Sequence, residues 1–359
     1  MRAPRHHRTA AGAVTALTVV ALALSGCSGS GGSGGSGSTA APVASGPSGA
    51  TGAAAPSPSD SGSVGIPAGA SPFSGRPGGA GKPVLVVKFD NTPNAQPHGG
   101  LSAADIVYIE EVEFGLTRIA AVFSSVLPRS VGPIRSARIS DIDLLAQFGR
   151  PAFAYSGAQH KMRPLLAAAS IYDVSGDKGP AGYYRDPRRR APYNFFGVPK
   201  GLLARAPKAS PAQDIGFVFS GAAPTGGTPT KSVTAKYPDS SAAFVWNSKL
   251  QSWDVVLNKR PARATEGGTQ HAATVVIQYV AQHDSGFGDK FGGKTPKLET
   301  VGTGTGLVLR NGRYYAVTWA RTSATSGTTF TTSDGQPMPF AIGQVWVALV
   351  NRATKAVLR

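Results

Sequence analysis

The segment PVLVVKFDN, residues 83–91, is the best starting point for building a fold from this sequence. Its apolar, largely β-branched run ends on polar side chains, which is typical of a strand buried inside a sheet. Two similar segments follow at 106–112 and 118–124, and we expect the second to pair beside the first. These three segments predict that the folded part opens with a β-sheet.

Helical patterns lie around these strands. Residues 101–105 favour a short helix, and 140–148 place Ile142, Leu145 and Phe148 on one helical face. A further strand at 152–155 is followed by a helical stretch at 161–169. This order predicts an N-terminal domain with a mixed α/β sheet and helices, within an α+β fold.

The rest of the chain is β-rich by pattern. Residues 307–319 predict a hairpin, because Asn311-Gly312 favours the type I′ turn that suits paired strands. Further strands are expected at 243–246, 253–257, 274–280 and 344–350. We therefore predict a mostly antiparallel C-terminal β domain.

The boundary between these parts is expected in the Gly/Pro-rich segment 221–229. It divides the folded part into an N-terminal domain at 82–222 and a C-terminal domain at 223–359. A chain of this length fits two ordinary domains.

Residues 1–27 predict a signal peptide, with a basic head, a short apolar run and small residues before Cys27. The ending LSGC resembles a bacterial lipobox, in which the cysteine carries palmitate-like acyl chains. We expect an anchor on the outer face of the cytoplasmic membrane. Because Cys27 is the sole cysteine of the chain, no internal disulfide can form. Plain secretory cleavage beside an incidental cysteine is the alternative.

Residues 28–81 consist mainly of Gly, Ser, Ala, Pro and Thr. Such a composition buries too little apolar surface to offset its ordering entropy. It predicts a disordered linker that lifts the folded part away from the membrane.

The chain is strongly basic, with a formal charge of +17 that falls to +14 without the arginines of the signal peptide, Arg2, Arg5 and Arg8. Outside the cytosol this charge favours polyanions such as teichoic acids, anionic lipid head groups or acidic glycans. The same location argues against nucleic acid as a partner. A general role of the charge in solubility is the alternative.

No catalytic or metal motif stands out. Ser156 precedes Gly157 without the first glycine of a nucleophile elbow. The histidines outside the signal peptide lack metal-ligand spacing, so we expect neither a metal nor a cofactor.

Two arginine-rich segments are the strongest candidates for a site. In GPIRSAR, residues 132–138, two guanidinium groups lie three residues apart before a predicted helix, where they could hold an anion. The second segment, YRDPRRRAPYN at 184–194, has the composition of an ordered loop. In the alternative interpretation the arginines pair with carboxylates of the same domain, namely Asp90, Glu110, Glu111 or Asp141.

These segments also resemble a family, the YerB-like bacterial lipoproteins, or domain of unknown function 3048. The similar motifs are DN at 90–91, GLSAADIVY at 100–108, TR at 117–118, GPIRSAR at 132–138, YRD at 184–186 and RAPYN at 190–194. Two positions depart from the pattern: Tyr193 stands where the family often has histidine, and Ala273 where it often has an acidic residue. The resemblance implies an N-terminal and a C-terminal module but no reaction.

Two functions follow as hypotheses. In the first, an envelope module without catalytic activity binds an anionic wall polymer or a wall-synthesis protein. In the second, a hydrolase or transferase acts on wall material, with Asp90 or Glu110 as general base and an arginine pair holding the charged group. The candidate binding residues are Asp90, Asn91, Arg118, Arg135, Ser136, Arg138, Arg185, Asp186, Arg190 and Asn194.

Overall fold

The structure is a computed structural model that describes residues 68–289 and 291–359. The predicted signal peptide, the lipid attachment at Cys27 and the linker as far as residue 67 lie outside the described residues.

The N-terminal region forms short strands interspersed with three α-helices. The strands are β1 Leu85–Asp90, β2 Ile106–Glu111, β3 Thr117–Phe123, β4 Ala152–Ala154, β5 Tyr172–Asp173, β6 Tyr183–Arg185, β7 Phe195–Gly197 and β8 Val218–Phe219. The helices are α1 Ser140–Ala146, α2 Arg163–Ala168 and α3 Pro199–Ala204, and 3-10 turns cover Pro93–Ala95, Leu101–Ala103, Glu113–Gly115, His160–Met162 and Gly176–Lys178.

The C-terminal region is built from strands. They are β9 Thr228–Pro229, β10 Ser232–Tyr237, β11 Ser240–Asn247, β12 Ser252–Leu257, β13 Arg260–Pro261, β14 His271–Ala272, β15 Thr274–Gly288, β16 Lys294–Glu299, β17 Gly302–Arg310, β18 Arg313–Arg321, β19 Thr329–Thr332, β20 Pro339–Phe340, β21 Val345–Asn351 and β22 Val357–Leu358. The predicted hairpin is confirmed as β17 and β18, with Asn311 and Gly312 at positive φ in its turn.

The two predicted regions share the largest sheet. Its twelve strands, all in the described part of the chain, run β19-β18-β17-β15-β21-β2-β3-β1-β4-β5, with β16 beside β15 and β9 beside β18. Strand β21 pairs in parallel with β2 on one side and β15 on the other. The predicted boundary at 222–223 therefore does not separate two sheets, because a C-terminal strand completes the N-terminal one. The α+β class holds in outline, although strands predominate over helices.

The fold has three layers, namely the helices, the large sheet and a six-stranded sheet, with an apolar core on each face of the large sheet. On one face of the large sheet, Val86 of β1 packs in a core with Leu145 of α1 and Leu166 of α2. On the other face, Val87 lies in a core with Phe244 of β11, so a six-stranded sheet covers that side. Because successive side chains of β1 point to opposite faces of the sheet, this strand contributes residues to both cores.

The folded part begins before the predicted end of the linker at residue 81. Phe73 and Ser74 are buried, and Ser74 Oγ donates a 2.5 Å hydrogen bond to the Asp105 carboxylate. Asp105 also accepts hydrogen bonds from the backbone N–H groups of Ser124 and Ser125, both at 2.9 Å. This carboxylate anchors the segment to β2 and β3, a role that the Gly/Pro-rich composition conceals.

No helix in the described ranges combines the length and apolar character needed to cross a bilayer.

Candidate functional site

A buried row of alternating charges crosses three strands at one end of the large sheet. Asp90, the last residue of β1, lies opposite Arg118 of β3 in the strand register. Arg118 in turn lies opposite Glu110 of β2. All three side chains are on the sheet face that carries Val86, which the helices cover. The strand register therefore places Arg118 between Asp90 and Glu110.

The Asp90 carboxylate forms ion pairs with two guanidinium groups. Its Oδ1 lies 3.4 Å from Arg118 Nη1, and its Oδ2 lies 3.0 Å from Arg135 Nε. The second contact is an ion pair without hydrogen-bond alignment, so both atoms lack a hydrogen-bond partner. Asp90 is fully buried, whereas the Arg135 side chain is 29 % exposed. Arg135 thus links the buried carboxylate to the surface.

Arg138 forms the second ion pair of the site. Its Nε and Nη2 donate to Glu113 Oε2 at 2.9 and 2.6 Å, and Glu113 Oε1 accepts a hydrogen bond from Thr295. Burial raises the pKa of Glu113, but the hydrogen bonds from Arg138 and Thr295 outweigh it and hold that pKa below its usual range. Glu113 is therefore ionised at neutral pH.

These two ion pairs belong to one group of charges. Burial lowers the pKa of Arg118; Asp90 and Glu113 oppose that effect, while the positive charges of Arg138 and Arg135 add to it. Charges interact this strongly only over short distances in a poorly solvated environment. We call this group the arginine cluster, consisting of Asp90, Glu113, Arg118, Arg135 and Arg138.

A cavity of about 480 Å³ opens beside the arginine cluster. Arg138, Glu113 and Asp289 are the charged residues that line it, together with Ser136, Gln159 and Thr295. Ser136 Oγ lies 3.4 Å from Ser156 Oγ, so hydroxyl groups accompany the charges. The cavity is large enough for a small polar ligand or one segment of a polymer.

Beneath the cluster lies a buried triad of charges, Lys88, Glu110 and Asp141. Lys88 Nζ donates to Glu110 Oε2 and to Asp141 Oδ1, both at 2.7 Å, and none of the three side chains is more than 1 % exposed. Burial and the negative charge of Asp141 raise the pKa of Glu110 to about 7, despite the opposing charge of Lys88. Asp141 Oδ2 accepts a 2.6 Å hydrogen bond from the Arg138 backbone N–H, which ties the triad to the arginine cluster.

Unsatisfied polar atoms gather at the same end of β1. Arg118 Nε, Asn91 Oδ1, Thr92 Oγ1 and His98 Nδ1 are buried without a hydrogen-bond partner. Buried polar atoms usually find a partner, so these four atoms are exceptions among the described residues. Asn91 is held in place because its Nδ2 donates to Thr117 Oγ1 at 2.8 Å.

His98 is a buried, neutral histidine. Its Nε2 lies 2.7 Å from the Asp90 carbonyl oxygen, which only accepts, so Nε2 carries the proton and Nδ1 does not. Burial lowers the pKa of His98 to about 4. The side chain thus supports the backbone of Asp90 without adding charge.

The second arginine-rich segment lies next to the first. Strands β6 and β7 form a hairpin, and the Ile134 backbone N–H donates to the Phe195 carbonyl at 2.7 Å. Arg185 Nη1 donates to Asn194 Oδ1 at 2.9 Å, on the exposed side of this hairpin. The backbone therefore joins the two segments into one surface region.

The predicted residues of the second segment differ in their burial and in their partners. Asp186 is buried and pairs with Arg188 at 2.9 Å, so it shapes the turn. Arg190 is exposed and forms no ion pair with the described residues. Arg185 and Asn194 contact each other and not the arginine cluster. Of the ten predicted residues, Asp90, Asn91, Arg118, Arg135, Ser136 and Arg138 lie at or beside the cluster.

Several residues of the site were missed by sequence reasoning. Lys88 was included only as part of an apolar strand, although a lysine in such a run is itself a signal of a buried ion pair. Glu113 and His98 have no such signal, whereas Arg189 lies within the second arginine-rich segment. Arg189 donates to the carbonyls of Pro97 and Ala95 at 2.9 and 2.7 Å, which fixes the loop that carries His98. Among the described residues, no group of three acidic, histidine or cysteine side chains could hold a metal ion.

The fold and the site define an α+β protein with a buried network of charges that opens at one sheet end. Two family models match the chain, the DUF3048 N-terminal domain at residues 74–212 and the DUF3048 C-terminal domain at 233–347, both of unknown function. The chain belongs to this family.

One relative and one solved structure are similar to the chain. "Putative lipoprotein YerB" of Bacillus subtilis (strain 168) is 26 % identical over 287 residues, which is 75 % of this chain and 81 % of that protein. The crystal structure of YerB from Bacillus subtilis matches with a TM-score of 0.67 and 21 % identity, covering 81 % of this chain and 99 % of that one. The structural match shows a shared fold.

Proposed function

We propose that this protein is an extracytoplasmic lipoprotein that binds an anionic envelope ligand at the arginine cluster. One observation carries the proposal. Three guanidinium groups share only two carboxylates, which leaves the cluster with a net charge of +1, and the Arg135 side chain is 29 % exposed. Phosphate and carboxylate oxygens are the acceptors that such planar donors prefer.

The location outside the membrane rests on the sequence. The segment ending at Cys27 has the features of a lipoprotein signal, and the similar YerB protein bears the name of a lipoprotein. A basic protein tethered there meets anionic polymers of the wall.

The hairpin of β6 and β7 extends the basic surface. Arg185 and Arg190 are exposed on it, and the hairpin is bonded to residues 131–134, which lead into the arginine cluster. A polymer with repeated anionic groups could therefore contact the hairpin and the cluster together. A partner protein with an acidic segment is the second ligand type that this surface fits.

Catalysis has less support than binding. Asp90 lies close enough to a guanidinium group, but both Asp90 and Glu110 are fully buried. Glu110 already bonds to Lys88. A general base must reach the proton that it removes, so these carboxylates are better suited to holding the arginines in position.

The proposal is tested by retention on purified peptidoglycan and on purified teichoic acid at two salt concentrations. We expect the full-length protein to be retained on one of them, more weakly at high salt. Arg135→Gln should lower retention about tenfold, because it removes a partly exposed, charge-assisted donor. Arg150→Gln, with the same loss of charge at an exposed residue near the opposite end of β1, is the matched control. Equal retention of both variants, or none of the wild type, would contradict the proposal.

A further inference from the structure

The positive charge of the arginine cluster is offset by the triad beneath it. In the triad, one lysine faces two carboxylates, so its net charge is −1 when Glu110 is ionised. The two groups are linked through Asp141 and Arg138, and Glu110 lies opposite Arg118 in the sheet. Four cations and four carboxylates therefore make one neutral network.

An added anion disturbs this balance. A phosphate group bound at Arg135 and Arg138 would bring the buried network to a negative total, and low-dielectric surroundings make such an excess costly. A proton on one of the carboxylates restores neutrality. The structure singles out Glu110 for that role, because its Oε1 is the one carboxylate oxygen of the described triad without a partner.

We infer that the anionic ligand binds together with a proton, and that Glu110 is the residue that takes up this proton. The inference rests on the proposed function and names a coupling within the same site. Protonation costs Glu110 little, since Oε1 can accept the proton while Oε2 keeps its hydrogen bond from Lys88.

Several elements packed around Glu110 contribute charged or titratable groups. Lys88 on β1 favours the ionised form, Asp141 on α1 favours the protonated form, and Arg118 on β3 lies opposite Glu110 in the sheet. Burial raises the pKa of the Tyr108 hydroxyl on β2 and of the Tyr237 hydroxyl on β10, and the charge of Glu110 raises both further. Both hydroxyls are therefore protonated at neutral pH. The balance already holds the pKa of Glu110 near 7 without ligand, so a nearby anion raises it further.

The direction of the pH effect follows from linkage. The complex holds more protons than the free protein at a pH above the pKa of Glu110 in the free protein. Affinity should therefore fall as the pH rises above about 7, by up to about tenfold for each pH unit. Below that pH, Glu110 is already protonated in the free protein, and the affinity should level off.

The test is isothermal titration calorimetry of the full-length protein in an uncharged detergent. The probe is poly(glycerol phosphate) without alanyl esters, whose phosphodiesters do not titrate in the neutral range. Heats measured at about one pH unit above 7, in two buffers with different ionisation enthalpies, give the number of protons taken up. We expect most of one proton per site.

Glu110→Gln replaces the carboxylate by a neutral group of the same shape. It should abolish the proton uptake and make the affinity independent of pH, whereas Glu299→Gln, at a partly exposed carboxylate, should behave like the wild type. Binding of the wild type without proton uptake overturns this inference and leaves the proposed function standing. No binding of the wild type in either buffer, nor at about pH 6, overturns both. Wild-type proton uptake that persists in a folded Glu110→Gln variant assigns the proton elsewhere and overturns the role of Glu110.

Discussion

Arg118 Nη1 lies 3.4 Å from Asp90 Oδ1 on the neighbouring strand, while Arg118 Nε is buried without any acceptor. A buried guanidinium that lacks a partner for one donor is costly unless another molecule supplies the acceptor. Arg135 contacts the other oxygen of the same carboxylate through its Nε, at 3.0 Å, and its side chain is partly exposed. Asp90 therefore joins a buried guanidinium group to a partly exposed one.

Lys88 should be essential for stability. Lys88→Met leaves the carboxylates of Glu110 and Asp141 buried side by side without a cation, which should lower the free energy of unfolding by about 3–5 kcal/mol. Urea unfolding measures the change. Lys297→Met, which breaks the partly exposed pair with Asp143, is the control and should cost no more than about 1 kcal/mol. Similar losses in the two variants would show that the triad is not a stabilising centre.

His98 should make the protein sensitive to acid. Folding lowers the pKa of this histidine from 6.5 to about 4, so the unfolded state binds more protons below pH 6.5 and stability falls with falling pH. At about pH 5 this residue should cost the wild type about 2 kcal/mol relative to neutral pH. In His98→Gln that loss is absent, so the stability difference between variant and wild type should shrink by this amount.

Urea unfolding at the two pH values measures the effect of His98. The exposed His160→Gln is the matched control, and its difference from the wild type should stay constant. A constant difference for His98→Gln as well would mean that His98 is not buried in neutral form.

Asp105 should hold the N-terminal segment of the folded part in place. Asp105→Ala leaves the buried N–H groups of Ser124 and Ser125 without their acceptor and releases Ser74. We expect a loss of about 3 kcal/mol in the free energy of unfolding. Asp334→Ala, at an exposed turn, should change it by less than about 0.5 kcal/mol. An unfolding curve of Asp105→Ala that overlays the wild type would refute this role.

The sequence predicts those parts of the fold that depend on local pattern. The apolar runs mark β1, β2 and β3, and Asn311-Gly312 marks the C-terminal hairpin. The twelve-stranded sheet depends instead on long-range pairing: β21 lies next to β2 although more than two hundred residues separate them. No periodicity within a segment encodes that pairing, which is why two separate sheets were expected.

The candidate site divides in the same way. Arg135 and Arg138 were found because they lie in one short motif, but their carboxylate partners come from β1 and from the turn after β2. Asp90 and Asp141 are among the carboxylates that the alternative interpretation names, whereas Glu113 as the partner of Arg138 follows only from the folded structure. The Gly/Pro-rich composition before residue 81 likewise gives no indication of Phe73, which is buried in the same apolar core as Val86.

The location of the anion site can be observed through the arginine Nε–H signals in an NMR titration of the full-length protein with poly(glycerol phosphate). Signals of Arg118 and Arg135 should shift on binding, because an anion bound at the partly exposed Arg135 changes the charge environment that both groups share through Asp90. The Nε–H signals of Arg310 and Arg321, which already donate to Asn311 and to the Ser326 carbonyl, should stay in place. Binding of the polymer that leaves the Arg118 and Arg135 signals unchanged would contradict the assignment of the site.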